Sequence, residues 1–196
     1  MKVLAINGSP RKEGNTKAGI KIVLAELEKE RIETEIFQLG GNLVRGCTAC
    51  YKCFETKDGF CATKDDVINE CLSKMYKADG IIIGSPVYFG SVTTEVKALI
   101  DRGGLCARAG NYLLKRKVGA SVIAVRRQGA VNVYSQINYL YALNQMIIPS
   151  SIYWNMGMGR NPGEILNDKE GIETFRILGE NMAWLMKKLY GSQGAT

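Results

Sequence analysis

The sequence predicts an α/β protein: a doubly wound, five-stranded parallel sheet in the order 2-1-3-4-5, with helices on both faces. Three observations predict it. Strand-like apolar runs alternate with amphipathic, helix-like stretches along the 196 residues. Residues 81–83 (Ile-Ile-Ile) and residues 3–6 (Val-Leu-Ala-Ile) are apolar throughout, as strands covered on both faces are. Right-handed crossovers between successive parallel strands then leave few topologies, and 2-1-3-4-5 is the common one for this count.

Residues 3–6 are too few for a buried helix and suit an inner strand. Gly8 lets the backbone turn and Pro10 ends the strand pattern. Asn15 or Thr16 is expected to cap the next helix, over residues 17–30, where Ile20, Val23, Leu24 and Leu27 fall at i, i+3, i+4 and i+7. Residues 34–39 alternate and predict the second strand, ended by Gly40-Gly41-Asn42. Residues 43–62 form a cysteine-bearing loop. Thr63 to Asp66 reads as a helix start of the capping type with acids in the first turn. Val67, Ile68, Cys71, Leu72 and Met75 then make one apolar face, with Cys71 a small core residue. Residues 81–83 are the third strand. A helix is expected from about Thr94 to Arg102, ended by Gly103-Gly104, with residues 105–115 irregular. Residues 118–125 form the fourth strand, and a helix covers about residues 133–145. Residues 147–154 form the fifth strand, with Pro149 near its start, and residues 155–167 are a Gly-rich loop. Asp168 starts the last helix, whose core stripe is Ile172, Phe175, Leu178, Met182, Leu185, Met186 and Leu189.

Hydrophobic residues make up 46% and charged residues 23%, an ordinary globular mix that one domain over residues 1–196 accommodates. The absence of histidine removes His-based triads, His bases and His–metal sites. Net charge is +7, but the only tight basic clusters are Arg126-Arg127 and Lys115-Arg116-Lys117. These read as a solvated face or a small-anion site, and no nucleic-acid partner is expected. No stretch resembles a signal peptide or a membrane span, so the expected location is cytoplasmic, with no membrane partner.

In the predicted strand order, the carboxyl ends of strands 1, 3 and 4 meet at the switch point where such folds bind ligands. The first loop there carries Ser9, Arg11, Asn15 and Thr16 at a helix N-terminus. Two hydroxyls, an amide, a guanidinium and free N–H groups suit a dianionic phosphate; the competing reading is an ordinary strand-to-helix turn. Neither a Walker loop nor a Gly-x-Gly-x-x-Gly fingerprint is present. The second loop sets Tyr88 and Phe89 beside Gly90, an aromatic wall or, alternatively, core packing. The third brings Arg126, Arg127 and Gly129 as a cationic or N–H corner. Phosphate pocket, flat wall and corner together suit FMN, with the chemistry on the flavin and no catalytic side chain assigned.

Cys47, Cys50, Cys53 and Cys61 are spaced C-x2-C-x2-C-x7-C. Two-residue gaps let thiolates converge, which suits a [4Fe–4S] cluster or a zinc site; metal-free or redox-active thiols are the third reading. Gly46, Ala49 and Gly59 keep this loop thin. A disulfide framework is not expected without an export signal. Cys106 receives no role.

Gly8-Ser9-Pro10-Arg11, Gly14-Asn15-Thr16 and Gly84-Ser85-Pro86-Val87-Tyr88-Phe89-Gly90-Ser91 resemble the NADPH-dependent FMN reductase branch of the flavodoxin-like superfamily, over nearly the whole chain. The resemblance implies that Ser9, Arg11, Asn15 and Thr16 bind the FMN phosphate and that Pro86, Val87, Tyr88, Phe89 and Gly90 border the isoalloxazine. It puts Arg127, Gln128 and Gly129 in the third flavin loop, which is less Gly-rich here than in relatives. With that fold, the cysteine run resembles the iron–sulfur flavoproteins of anaerobic archaea and bacteria. That implies one [4Fe–4S] cluster per chain, and a homodimer or homotetramer with cluster and flavin near a subunit interface. It also implies a ferredoxin-type donor and an acceptor such as oxygen, peroxide or a quinone. Two alternatives stand beside it. One is an NAD(P)H-dependent flavin, quinone or nitro-compound reductase without a cluster, the nicotinamide stacking on the flavin. The other is a non-enzymatic flavin- or zinc-binding module. Tyr153, Trp154 and Gly157-Met158-Gly159-Arg160 read as interface or packing.

Overall fold

Alternation along the inner strands divides the core in two. A computed structural model describes residues 1–191. The chain runs β1 (Lys2–Asn7), α1 (Asn15–Lys29), β2 (Glu33–Gln38), α2 (Lys52–Thr56), α3 (Ile68–Lys77) and β3 (Gly80–Pro86). It continues through α4 (Thr94–Ala98), a π-helical turn (Leu99–Gly103), α5 (Gly104–Ala109), β4 (Val118–Val125) and α6 (Ala130–Leu143). β5 (Met156–Met158), a 3-10 turn (Glu164–Asn167) and α7 (Lys169–Tyr190) complete it. The strands form one parallel sheet in the order β2-β1-β3-β4-β5, the flavodoxin-like arrangement.

Successive strand side chains point to opposite faces. Leu4, Ile6, Ile81, Ile83, Ile123 and Val125 pack with Leu72 and Met75 of α3, Val96 and Leu99, and Val133 and Ile137 of α6. Val3, Ala5, Ile82, Val122 and Ala124 face the other way, onto Ile20, Val23 and Leu27 of α1 and Phe175, Leu178 and Met182 of α7. The last helix is capped as expected, Asp168 accepting from the Gly171 N–H at 3.1 Å. Tyr141 carries a hydroxyl into the first of these cores, accepting from the Ile83 N–H at 3.1 Å and donating to the Ala120 carbonyl at 2.8 Å. Tyr141→Phe leaves both buried backbone groups short of a partner. The expected cost is about 1–3 kcal/mol in urea unfolding; an unchanged midpoint would contradict this account.

Four local expectations are corrected. Gly14 is the N-cap of α1, and Asn15 and Thr16 are its first helical residues. The Thr63–Asp66 stretch makes no capping box: α3 starts at Ile68 with Val67 as N-cap, and Asp66, which accepts from the Ile68 N–H at 3.1 Å, also pairs with Arg102. Gly103-Gly104 does not end the third predicted helix, which passes through the π turn into α5. These glycines serve close packing: a Cβ at Gly103 would lie 2.9 Å from Leu72 Cδ2, and one at Gly104 2.7 Å from Leu140 Cδ1. Residues 147–154 are not the fifth strand. Ile147 makes only an isolated bridge to Val118, Pro149 offers no N–H to extend it, and β5 forms later, at Met156–Met158. No helix among the described residues is long and apolar enough to cross a membrane.

Candidate functional site

β1 turns polar at its last residue, and the site begins there. Asn7 is fully buried; its side-chain oxygen accepts from the Ser9 N–H at 3.2 Å and its amide donates to Gln38 Oε1 at 2.7 Å. Gln38, ending β2, donates to the carbonyls of Ser9 at 2.8 Å and Gly40 at 2.7 Å. Thr93 Oγ1 donates to the Gly8 carbonyl at 2.8 Å, and the Gly8 N–H donates to the Gly84 carbonyl at 2.8 Å. Residues 7–10 are thus held from β2, β3 and the start of α4. Asn7, Gln38 and Thr93 were missed in the sequence. The available signal was a polar residue closing an otherwise apolar strand.

No side chain caps α1, so the N–H groups of its first turn have no intrahelical acceptor, and the helix dipole favours an anion there. Ser9, Arg11, Asn15, Thr16, Pro86, Val87 and Tyr88 line one cleft against this helix end, joined by Ala124, Arg126, Gly159 and Arg160. Thr16 is buried, with its methyl towards Gly84, and its hydroxyl has no hydrogen-bond partner among the described residues. An orphaned buried hydroxyl is costly until an acceptor reaches it, and a phosphate oxygen is such an acceptor. The Asn15 amide is already engaged: it donates to the Asn161 carbonyl at 2.9 Å, and its oxygen accepts from the Gly163 N–H at 2.8 Å. Asn15 therefore ties the 159–163 loop over the cleft.

Tyr88 and Ser91 exchange backbone bonds of 2.9 Å around a two-residue turn whose central residues, Phe89 and Gly90, both have positive φ, 47° and 72°. The turn thrusts Phe89 fully into solvent, and neither Phe89 nor Gly90 lines the cleft. Arg127, Gln128 and Gly129 do not line it either; Arg126 does. Gly129 instead lies against Gly90, where an added Cβ would sit 3.1 Å from the Gly90 Cα. Gly159 and Arg160 come to the cleft because the fifth strand lies later in the chain than the sequence suggested.

The second constellation sits in the segment between β2 and α3. Cys47, Cys50, Cys53 and Cys61 line one pocket with Thr48, Thr63 and Arg102, and Cys106 of α5 joins them. Ala49, Tyr51 and Lys57 hold left-handed backbone, which non-glycine residues adopt at a cost and which bends the loop around the pocket. Cys47 and Cys50 are exposed, Cys53 and Cys106 buried. Burial pushes the Cys53 and Cys106 thiols above their ordinary range. The Lys52 N–H, then the Thr48 hydroxyl, holds the Cys50 thiol below it. No group of three or more Cys, Asp or Glu side chains among the described residues is arranged to hold a metal ion. Arg102, 1% exposed, pairs with Asp66, 2% exposed. Burial pushes the Asp66 carboxyl up, but hydrogen bonds from Arg102 and the N–H groups of Arg45 and Ile68 outweigh it and leave it below the usual carboxylate range.

Residues 1–161 match the family model described as NADPH-dependent FMN reductase. An iron–sulfur flavoprotein of Methanocaldococcus jannaschii is 41% identical over 194 residues, covering 95% of this chain and 98% of the relative. An iron–sulfur flavoprotein of Archaeoglobus fulgidus is 42% identical over 156 residues, 79% of this chain and 75% of the relative. Among solved structures, a flavone reductase superposes with a TM-score of 0.75 at 19% identity, over 98% of this chain and 65% of its own, which is a likeness of fold. On these matches the chain belongs to the NADPH-dependent FMN reductase family and groups there with the iron–sulfur flavoproteins, as an FMN-binding, flavin-dependent oxidoreductase of flavodoxin-like fold.

Proposed function

We propose that the chain, working as one domain, joins one-electron supply to two-electron reduction. It would hold FMN at the β1–α1 cleft and a [4Fe–4S] cluster on Cys47, Cys50, Cys53 and Cys61. The observation that carries this reading is that all four thiols line a single pocket beside a buried guanidinium. The name of the Methanocaldococcus relative, an iron–sulfur flavoprotein alike over nearly its whole length, supports it.

FMN, when bound, supplies both one- and two-electron chemistry. Ser9, Arg11, the Thr16 hydroxyl and the α1 N–H groups would hold its phosphate. Pro86, Val87 and Tyr88 would border its ring. Arg126 would favour negative charge at the ring edge. Thr16→Val tests the first part: FMN affinity should fall roughly 10–100-fold, the worth of one hydrogen bond to a charged group. Riboflavin affinity should stay unchanged, and the cofactor-free chain should be at least as stable as wild type, because the orphaned hydroxyl is gone. Equal losses for both flavins would refute a phosphate contact.

A second reading is favoured by the family description and by the lack of a converging ligand group: an NAD(P)H-dependent reductase with no cluster. Anaerobic purification with iron, sulfide and flavin counted together separates the two. The cluster reading expects about four irons per chain, and loss of iron and sulfide in Cys50→Ala. Iron-free protein whose flavin is bleached at once by NAD(P)H would leave the second reading alone. A ferredoxin-type donor, an acceptor such as oxygen, peroxide or a quinone, and assembly as a homodimer or homotetramer belong to the proposal. Exposed Leu43, Tyr51, Phe54 and Phe89 beside the two sites support assembly; a monomer by sedimentation with both cofactors bound would refute it.

A further inference from the structure

Arg102 is a charged side chain where the fold has every reason to place a leucine. It lies on the π-helical turn, is 1% exposed, and uses all of its N–H groups. Nη1 donates to the Arg45 carbonyl at 2.9 Å and to Asp66 Oδ2; Nη2 donates to the Thr63 carbonyl at 3.1 Å and to Asp66 Oδ1 at 3.1 Å. Arg45 and Thr63 bracket the cysteine segment, so one guanidinium ties its two feet together. The remaining donor, Nε, points at Cys61 Sγ at 3.3 Å. Asn69 of α3 clamps the same cysteine from its backbone, accepting from the Cys61 N–H and donating to its carbonyl, each at 2.8 Å. Cys61 is thereby fixed at sulfur and at main chain, while Cys47 and Cys50 stand exposed. π-Helical turns inside α-helical segments occur often at functional sites, and here the turn carries the residue that reaches the pocket.

We propose that Arg102 is a positioning residue that presets Cys61 as a ligand and, through its Nε–H···Sγ bond, raises the reduction potential of the centre that the cysteines hold; this rests on the cluster reading above. One-electron reduction of such a centre adds one negative charge and makes or breaks no bond. A cationic donor on a ligating sulfur favours the more negative state, and hydrogen bonds to sulfur are among the levers that set cluster potentials. Asp66 holds the guanidinium in place and limits its net charge, leaving the directed N–H as the part that acts on Cys61.

The test is an anaerobic, mediated dithionite titration of intact protein with cofactors bound, followed by electron paramagnetic resonance, on wild type and Arg102→Lys. The expected result is bound iron in both and a midpoint shifted to more negative potential in the variant. The reduced-to-oxidised ratio at fixed potential should fall about tenfold, or about 59 mV for one electron. Bound iron with an unmoved midpoint overturns the proposal and leaves the cluster reading intact. Iron-free wild type overturns the cluster reading, and this proposal with it. Should Arg102→Lys fail to fold or lose iron, the wild type labelled with 15N-arginine decides: a 15N hyperfine coupling to the reduced centre upholds the bond to sulfur, and its absence overturns it.

Discussion

Asp66→Ala is expected to lower the unfolding free energy of the cofactor-free chain by about 3–5 kcal/mol, because it strands the Arg102 guanidinium in the interior without its counter-charge. Both side chains are almost fully removed from solvent, and Asp66 also accepts from the N–H groups of Arg45 and Ile68, each at 3.1 Å. Pairs of this kind need not stabilise a fold against an apolar replacement of both partners. What is costly is to remove one partner and leave the other. Urea unfolding under reducing, anaerobic conditions measures the effect, and Asp66→Asn, which keeps the shape, should fall between wild type and alanine. The sign of the pH dependence follows from the lowered carboxyl. Its contribution is complete above the unfolded carboxylate pKa of about 3.9 and is lost as pH falls through the lower folded value. The gap between wild type and Asp66→Ala should therefore narrow only in strong acid. A gap under about 1 kcal/mol at neutral pH would mean that Arg102 finds water or another acceptor.

Gly40→Ala is expected to weaken FMN binding at least tenfold and to cost about 1–3 kcal/mol of stability, the usual range for overpacking. The added Cβ would stand 2.3 Å from the Ser9 carbonyl carbon and 2.5 Å from the carbonyl oxygens of Gly8 and Ser9. These are backbone atoms of the loop after β1, already pinned by Asn7, Gln38 and Thr93, so the clash cannot be relieved by turning a side chain. The loop must move, and Ser9 moves with it away from the α1 N-terminus. Gly191→Ala, where nothing among the described residues lies within 4 Å, is the control and should change neither quantity. Isothermal titration with FMN and urea unfolding read both effects. An unaltered FMN affinity in Gly40→Ala would show that the position of Ser9 does not govern the phosphate site.

The strand order, the two-faced core and the meeting of the first and second loops were legible because they rest on local regularities. Alternation along Val3, Leu4, Ala5 and Ile6 assigns each side chain to a face, and apolar strands between amphipathic helices can be wound in few ways. Asp168 and the stripe around Phe175, Leu178 and Met182 likewise speak within one helix. The local readings failed where a residue's partner lay far along the chain. Gly103 and Gly104 looked like a helix end and are points of close approach to Leu72 and Leu140. The Thr63–Asp66 stretch looked like a capping box, but Asp66, besides accepting from the Ile68 N–H, shares its carboxylate with an arginine 36 positions away. A fifth strand placed at residues 147–154 carried the 155–167 loop away from the cleft, and so hid Gly159 and Arg160.

By itself the sequence determined the strand order and four of the five strands, the sheet edge where the first and second loops meet, and the four clustered thiols. These follow from the periods of strand and helix and from the chemistry of short turns. Only the tertiary structure decided that Arg126 faces the cleft, that Asn15 secures a loop, and that Cys106, Arg102 and Asp66 stand with the cysteines. A buried polar group takes whichever partner packing brings within hydrogen-bond reach, and no pattern in neighbouring residues encodes that choice.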